Sequence, residues 1–219
     1  MLFTLLATAT AAQLVMPGFF HAGEAEARDG EVWYGVYATD SGFSIETTRL
    51  EVKPIFDPLL DDDWEASGSE ILAEGPRQPL FLVRGVPGLV EGPVAMASSE
   101  VTPLVPGAVV GLSDELLVVY GTAKEPVLPG LPPALEDLRV VLQGLPGGAP
   151  SQELLSLDAP DLTAPSLVWA GDLDGDGRTD LLLDATDHYS ASAYTLLLSS
   201  AAAPGERVAE VATLVVSSC

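Results

Sequence analysis

The sequence predicts an all-β protein, with a sandwich- or barrel-like β-domain over most of its 219 residues. Short runs rich in β-branched and aromatic residues, some alternating apolar with polar, recur along the chain. Eighteen prolines and 21 glycines break these runs at short intervals and leave little room for long amphipathic helices. Hydrophobic residues make up 47% of the chain, so a core forms despite a net charge of −23. A disordered acidic chain would lack the apolar residues to bury.

Residues 1–23 carry no formally charged side chain, and Met1 to Met16 is mainly Leu, Ala, Thr and Phe. The small residues Ala9, Ala11 and Ala12 that close this stretch predict a secretory signal peptide over residues 1–22 and a secreted or periplasmic protein. The alternative for the same residues is a buried first strand or helix. Pro17 and Gly18 interrupt the run before it reaches the roughly 20 residues of a membrane span, so no membrane insertion of the mature chain is expected.

Beyond the leader, strands follow in order. Residues 31–39 are rich in aromatic and β-branched side chains, Asp40-Ser41-Gly42 makes a turn, and residues 43–52 alternate, which predicts a hairpin. Further strands are expected over 69–73, 80–84, 109–112, 115–122 and 138–143. Only 131–138 and 151–156 offer short helical turns, and the Pro-rich stretch 126–133 reads as a loop. The N-terminal β-domain thus covers residues 23–164.

The charge comes from 32 acids against 9 bases. Phosphate recognition needs clustered Lys and Arg, so nucleic acid and anionic membrane surfaces are poor partners, which leaves metal cations and basic partners. The run Asp61-Asp62-Asp63 reads as a solvated loop. Asn is absent and Lys occurs only at 53 and 124, a coding bias expected of a GC-rich bacterial genome. The single cysteine, Cys219, allows no disulfide within the chain.

One stretch carries a strong chemical signal. In Asp172-Leu-Asp174-Gly-Asp176-Gly177-Arg-Thr-Asp180, carboxylates fall at loop positions 1, 3, 5 and 9, with Gly at 6. A tightly curled loop turns alternate side chains inward, so Asp172, Asp174 and Asp176 converge. Gly177 permits the sharp turn, and Asp180 closes the far side. With the backbone carbonyl of Arg178 and a water, about six oxygens surround one point, which suits Ca²⁺. Mutual repulsion of the carboxylates favours a dication, and the lack of His and Cys argues against zinc or copper. Without an ion, the same residues would be an acidic hairpin turn.

An EF-hand would place a bidentate Glu at position 12 and helices on either side. Here position 12 is Leu183, and residues 166–170 and 181–183 read as strands. The run Gly171-Asp-Leu-Asp-Gly-Asp-Gly-Arg-Thr-Asp-Leu-Leu-Leu183 instead resembles the calcium loop of FG-GAP and VCBS repeats. Those repeats occur in integrin-type β-propeller blades and secreted bacterial proteins. The resemblance implies Ca²⁺ ligands at Asp172, Asp174, Asp176, Arg178 (through its backbone) and Asp180. Strands at 194–199 and 208–216 would complete one four-stranded blade. The motif occurs once, so residues 165–219 are expected to form a single blade-like antiparallel sheet carrying a calcium loop, packed on the first domain.

The function expected first is that of a secreted, non-enzymatic calcium-binding β-protein with a structural or binding role towards a protein or glycan. The ion would rigidify the C-terminal hairpin. A secreted hydrolase with a structural calcium is one alternative, with His188 and the nearby Asp184 and Asp187 as candidate catalysts. A calcium-dependent carbohydrate-binding module is another, with Trp33, Trp64 and Trp169 as candidate platforms. Asp40-Ser41-Gly42 also matches the triplet of aspartic proteases, but such enzymes need two facing carboxylates and no second triplet exists.

Overall fold

A computed structural model describes residues 11–57, 60–62, 66–98, 101–126, 131–144 and 150–217. Residues 1–10 of the expected leader, Trp64 and Cys219 lie outside them. The described residues contain no helix, and the fold is all-β. Accordingly, no helix is long and apolar enough to cross a membrane.

The chain opens with β1 (Gln13–Val15) and β2 (Gly18–Phe20), then β3 (Val32–Thr39) and the long β4 (Gly42–Ile55). Next come β5 (Gly68–Ala73), β6 (Phe81–Arg84) and β7 (Gly92–Val94). These seven form one antiparallel sheet in the order β1-β6-β3-β4-β5-β2, with β7 also on β4. The expected hairpin is β3 and β4, in register from Val32↔Arg49 to Thr39↔Gly42, with Asp40 and Ser41 as its two-residue turn. That turn accounts for the Asp-Ser-Gly triplet.

Two short strands, β8 (Met96–Ser98) and β9 (Thr102–Pro103), follow. A second sheet then forms from β10 (Val109–Gly111), β11 (Glu115–Lys124), β12 (Ala134–Gly144) and β13 (Gln152–Leu157), in sequence order. Here the structure corrects two expectations, because residues 131–138 and 151–156 contribute to strands β12 and β13 instead of helical turns. Leu135 and Leu138, three apart, mimic helical spacing. A bulge explains it: Asp137 takes φ +51° opposite the register shift between Tyr120 and Thr122, and Leu135 and Leu138 are both buried.

The third sheet contains β14 (Ser166–Gly171), β15 (Asp180–Asp184), β16 (Ala191–Leu198) and β17 (Ala209–Ser217). They form an antiparallel meander, as expected of a blade. The sheet is wider than four strands because β8 and β9 both pair with β14.

The third sheet is the middle layer of the molecule. One of its faces contributes Trp169, Leu182, Leu196 and Leu214 to a cluster with Trp33, Phe81 and Leu50 of the first sheet. Its other face contributes Leu167, Leu181, Leu183 and Leu197 to a cluster with Leu117, Leu138 and Leu142 of the second. Burial on both faces explains why β15 reads as an unbroken Leu181-Leu182-Leu183 rather than an alternation. A buried ion pair between Arg207, just before β17, and Glu115 of β11 adds a polar tie between the second and third sheets.

The segment assigned to the leader enters this fold from Gln13 onward. β1 pairs with β6, β2 pairs with β5, and Leu14, Val15 and Phe20 are buried in the first core. The buried first strand, the alternative reading of the leader, therefore describes residues 13–20.

Candidate metal centre

The Asp-rich loop joins β14 to β15 and is braced at both ends. Trp169 stands edge-on between Phe43 and Phe81, with ring centroids 6.1 and 5.4 Å away. Its indole also lies over Gly171: a Cβ built there would stand 2.6 Å from the ring, so only glycine fits directly before the first aspartate. The Asp172 N–H donates to Ala95 O at 2.9 Å, and Leu173 is buried in the first core. Gly177 takes φ +81°, the left-handed turn expected at position 6.

Asp172, Asp174 and Asp176 each bring a carboxylate oxygen to within 4.8 Å of the others. Backbone donors fix their positions. The Gly177 N–H donates to Asp172 Oδ2 at 3.0 Å, the Asp176 N–H to Asp174 Oδ1 at 3.3 Å, and the Arg178 N–H to Asp176 Oδ1 at 2.8 Å. Asp172 Oδ1 is buried and has no hydrogen-bond partner. Leaving such an atom unsatisfied costs about 1–3 kcal/mol, and more when it is charged. A cation between the three side chains would satisfy it.

Charge points the same way. The guanidinium of Arg178 contacts Asp176 Oδ2 at 2.7 Å through Nη2 and also donates to Ser199 O at 2.6 Å. Burial raises the Asp176 pKa, but hydrogen bonds from Arg178 and Ser199 outweigh it and hold this carboxyl below its ordinary value. Three carboxylates and one guanidinium leave two negative charges, which a divalent ion would balance. The donors are all hard oxygens, so the group could hold an oxygen-seeking metal ion.

Asp180 stands apart from that group. Its Oδ2 accepts the Leu173 N–H and its Oδ1 the Ser199 N–H, both at 2.8 Å, so it ties the loop to the end of β16. Burial pushes its pKa up to about 6, against the two backbone donors, with the charge of Asp174 adding to the rise. Arg178 contributes its side chain as a counter-ion, a role the backbone-ligand expectation did not include.

Ser199 and Ser200 were not foreseen. Ser199 Oγ lies 3.0 and 2.9 Å from the two oxygens of Asp176, and Ser200 Oγ donates to Asp174. The signal was present in the strand order. In the β15–β16 pairing, with Leu181 opposite Leu197, the residues after Leu198 arrive beside the loop that precedes Asp180.

The other candidates resolve differently. His188 meets neither acid proposed for it. Its Nε2 is 3.4 Å from Asp161 Oδ2 and its Nδ1 is 2.8 Å from Ser190 Oγ. Asp184 instead accepts the Thr186 and Ala193 N–H groups. Trp33 and Trp169 are buried in the first core and present no platform to a glycan. Comparison with known proteins finds no family model, no curated protein and no solved structure that matches this chain.

Proposed function

We propose that this is a calcium-binding β-protein that acts outside the cytoplasm, in which the ion rigidifies the β14–β15 hairpin and the role is structural or binding. The observation that carries the reading is the buried, unpartnered Asp172 Oδ1 among three convergent carboxylates. Calcium is the ion of choice because it accepts irregular all-oxygen sites, whereas Mg²⁺ demands a strict octahedron and retains its waters. The resemblance of the loop to FG-GAP and VCBS repeats supports the same ion. The uncharged, apolar composition of residues 1–12, ahead of β1, supports the compartment. Extracellular sites of this kind bind with dissociation constants of about 10⁻⁴ to 10⁻³ M, and a tenfold excess over that constant stabilises folding by roughly 1.4 kcal/mol.

Titration calorimetry with Ca²⁺ and Mg²⁺, joined to melting with and without chelator, tests this. Saturable heat with Ca²⁺ and a higher melting temperature are expected, and both should vanish in Asp176→Ala. Identical melting curves with and without chelator, together with no heat, would sink the proposal.

A hydrolase reading draws on the Asp161–His188–Ser190 contacts. Asp161 and His188 are about half-exposed, however, where water competes for each hydrogen bond. The non-enzymatic reading is therefore preferred.

A further inference from the structure

A second site lies away from the loop, where the ends of β2 and β4 flank the start of β5. A cavity of about 310 Å³ opens there, walled by Phe19, Phe20, Ile55 and Phe56. That volume suits a small organic ligand. Phe19 is 70% exposed although it belongs to a strand, an apolar surface kept at the mouth at a cost in hydration.

The polar part of the wall is His21, Asp57 and Ser217. His21 Nδ1 lies 2.6 Å from Asp57 Oδ2, and Asp57 is only 2% exposed. More carboxylates crowd the same neighbourhood. Glu24 accepts the His21 N–H at 2.8 Å, and Asp61 accepts the Asp57 N–H at 2.7 Å. Among the described residues, neither Lys nor Arg lines the cavity. Even with His21 protonated, the carboxylates of Asp57, Glu24 and Asp61 in and behind this wall outnumber its single positive charge, so an anionic ligand would be repelled. A neutral ligand would gain from the apolar wall and the Ser217 hydroxyl but not from the carboxylates' charge. A hydrophobic cation gains from the phenyl rings through their quadrupoles and from the surplus negative charge.

We infer that the cavity at the ends of β2 and β4 binds a small hydrophobic organic cation, an aryl- or alkylammonium. This site is independent of the calcium loop.

The test uses three probes of similar size, benzyltrimethylammonium, benzyl alcohol and benzoate, in titration calorimetry of the full chain. The ammonium should bind about tenfold more tightly than the alcohol, and benzoate should give no saturable heat. Asp57→Asn should remove most of that preference, while Phe19→Ala, at an exposed position that spares the fold, should weaken the ammonium severalfold. Calcium binding should be unchanged in Phe19→Ala. Equal affinity for ammonium and alcohol, tighter binding of benzoate, or no saturable binding by any probe would each overturn the inference. So would an ammonium affinity left intact by Phe19→Ala, which keeps the test decisive if Asp57→Asn fails to fold.

Discussion

At Asp172 one carboxylate oxygen accepts the Gly177 N–H and the other accepts nothing, and these two facts separate what spacing can reveal from what it cannot. Alternation at positions 172, 174 and 176 was enough to expect convergence, because a curled loop turns every second side chain inward. The Ser199 and Ser200 hydroxyls could be found only by working out which strand end comes to lie beside the loop, and the Arg178 counter-charge only by asking what its side chain does as well as its backbone. The same limit applies to His21 and Asp57, which are 36 residues apart and meet only through sheet pairing. The hydrogen bond that the His21 ring donates to Asp57 raises the His21 pKa above 6.5, burial opposes the rise, and the charges of Asp57 and Glu24 reinforce it. Because the folded pKa is the higher one, the stabilisation is complete below about pH 6.5 and fades as pH rises through the folded value. His21→Gln should therefore lower the melting temperature clearly at pH 5.5 and much less at pH 8.5. A deficit that grows with pH would contradict this.

Elements were read well where local pattern and tertiary environment agree, as in β3, β4, β14 and β17. They were misread where a bulge reset the period. Leu135 and Leu138 look helical only because Asp137 adds a residue to one strand, and nothing local distinguishes that from a turn of helix. The short strands β7, β8 and β9 were missed for a related reason: they are two or three residues long and exist through their partners. At β14, by contrast, one local residue has a sharp requirement. Gly171→Ala would push a methyl group into the Trp169 ring and should cost about 1–3 kcal/mol in urea unfolding. Since that strand delivers Asp172, affinity for the proposed Ca²⁺ ion should fall in the same variant. Unchanged stability would show that the ring moves aside freely.

The whole molecule is a stack of three sheets, and its outer edge includes residues that composition alone assigns to a leader. Leu14, Val15 and Phe20 are buried, and each such side chain contributes about 1.5–3 kcal/mol. Their sum rivals the roughly 5–15 kcal/mol that holds a typical domain together. A chain starting at Ala12 should therefore give a cooperative urea transition, whereas one starting at Gly23 should be largely unfolded by circular dichroism. Equal stability of the two chains would mean that β1 and β2 are dispensable. The all-β class was legible because Pro and Gly punctuation leaves no room for helices. The layering was not, because burial on both faces of the third sheet is a relation between distant segments.

That layering has a consequence for synthesis. The sheet that completes both cores is built mainly from residues 166–217, which follow the strands of the other two sheets in the chain. Until it emerges, the first two sheets each display an apolar face with nothing to cover it. The two outer sheets therefore stay open until residues 166–217 have emerged, and the molecule closes when its middle layer slides into place.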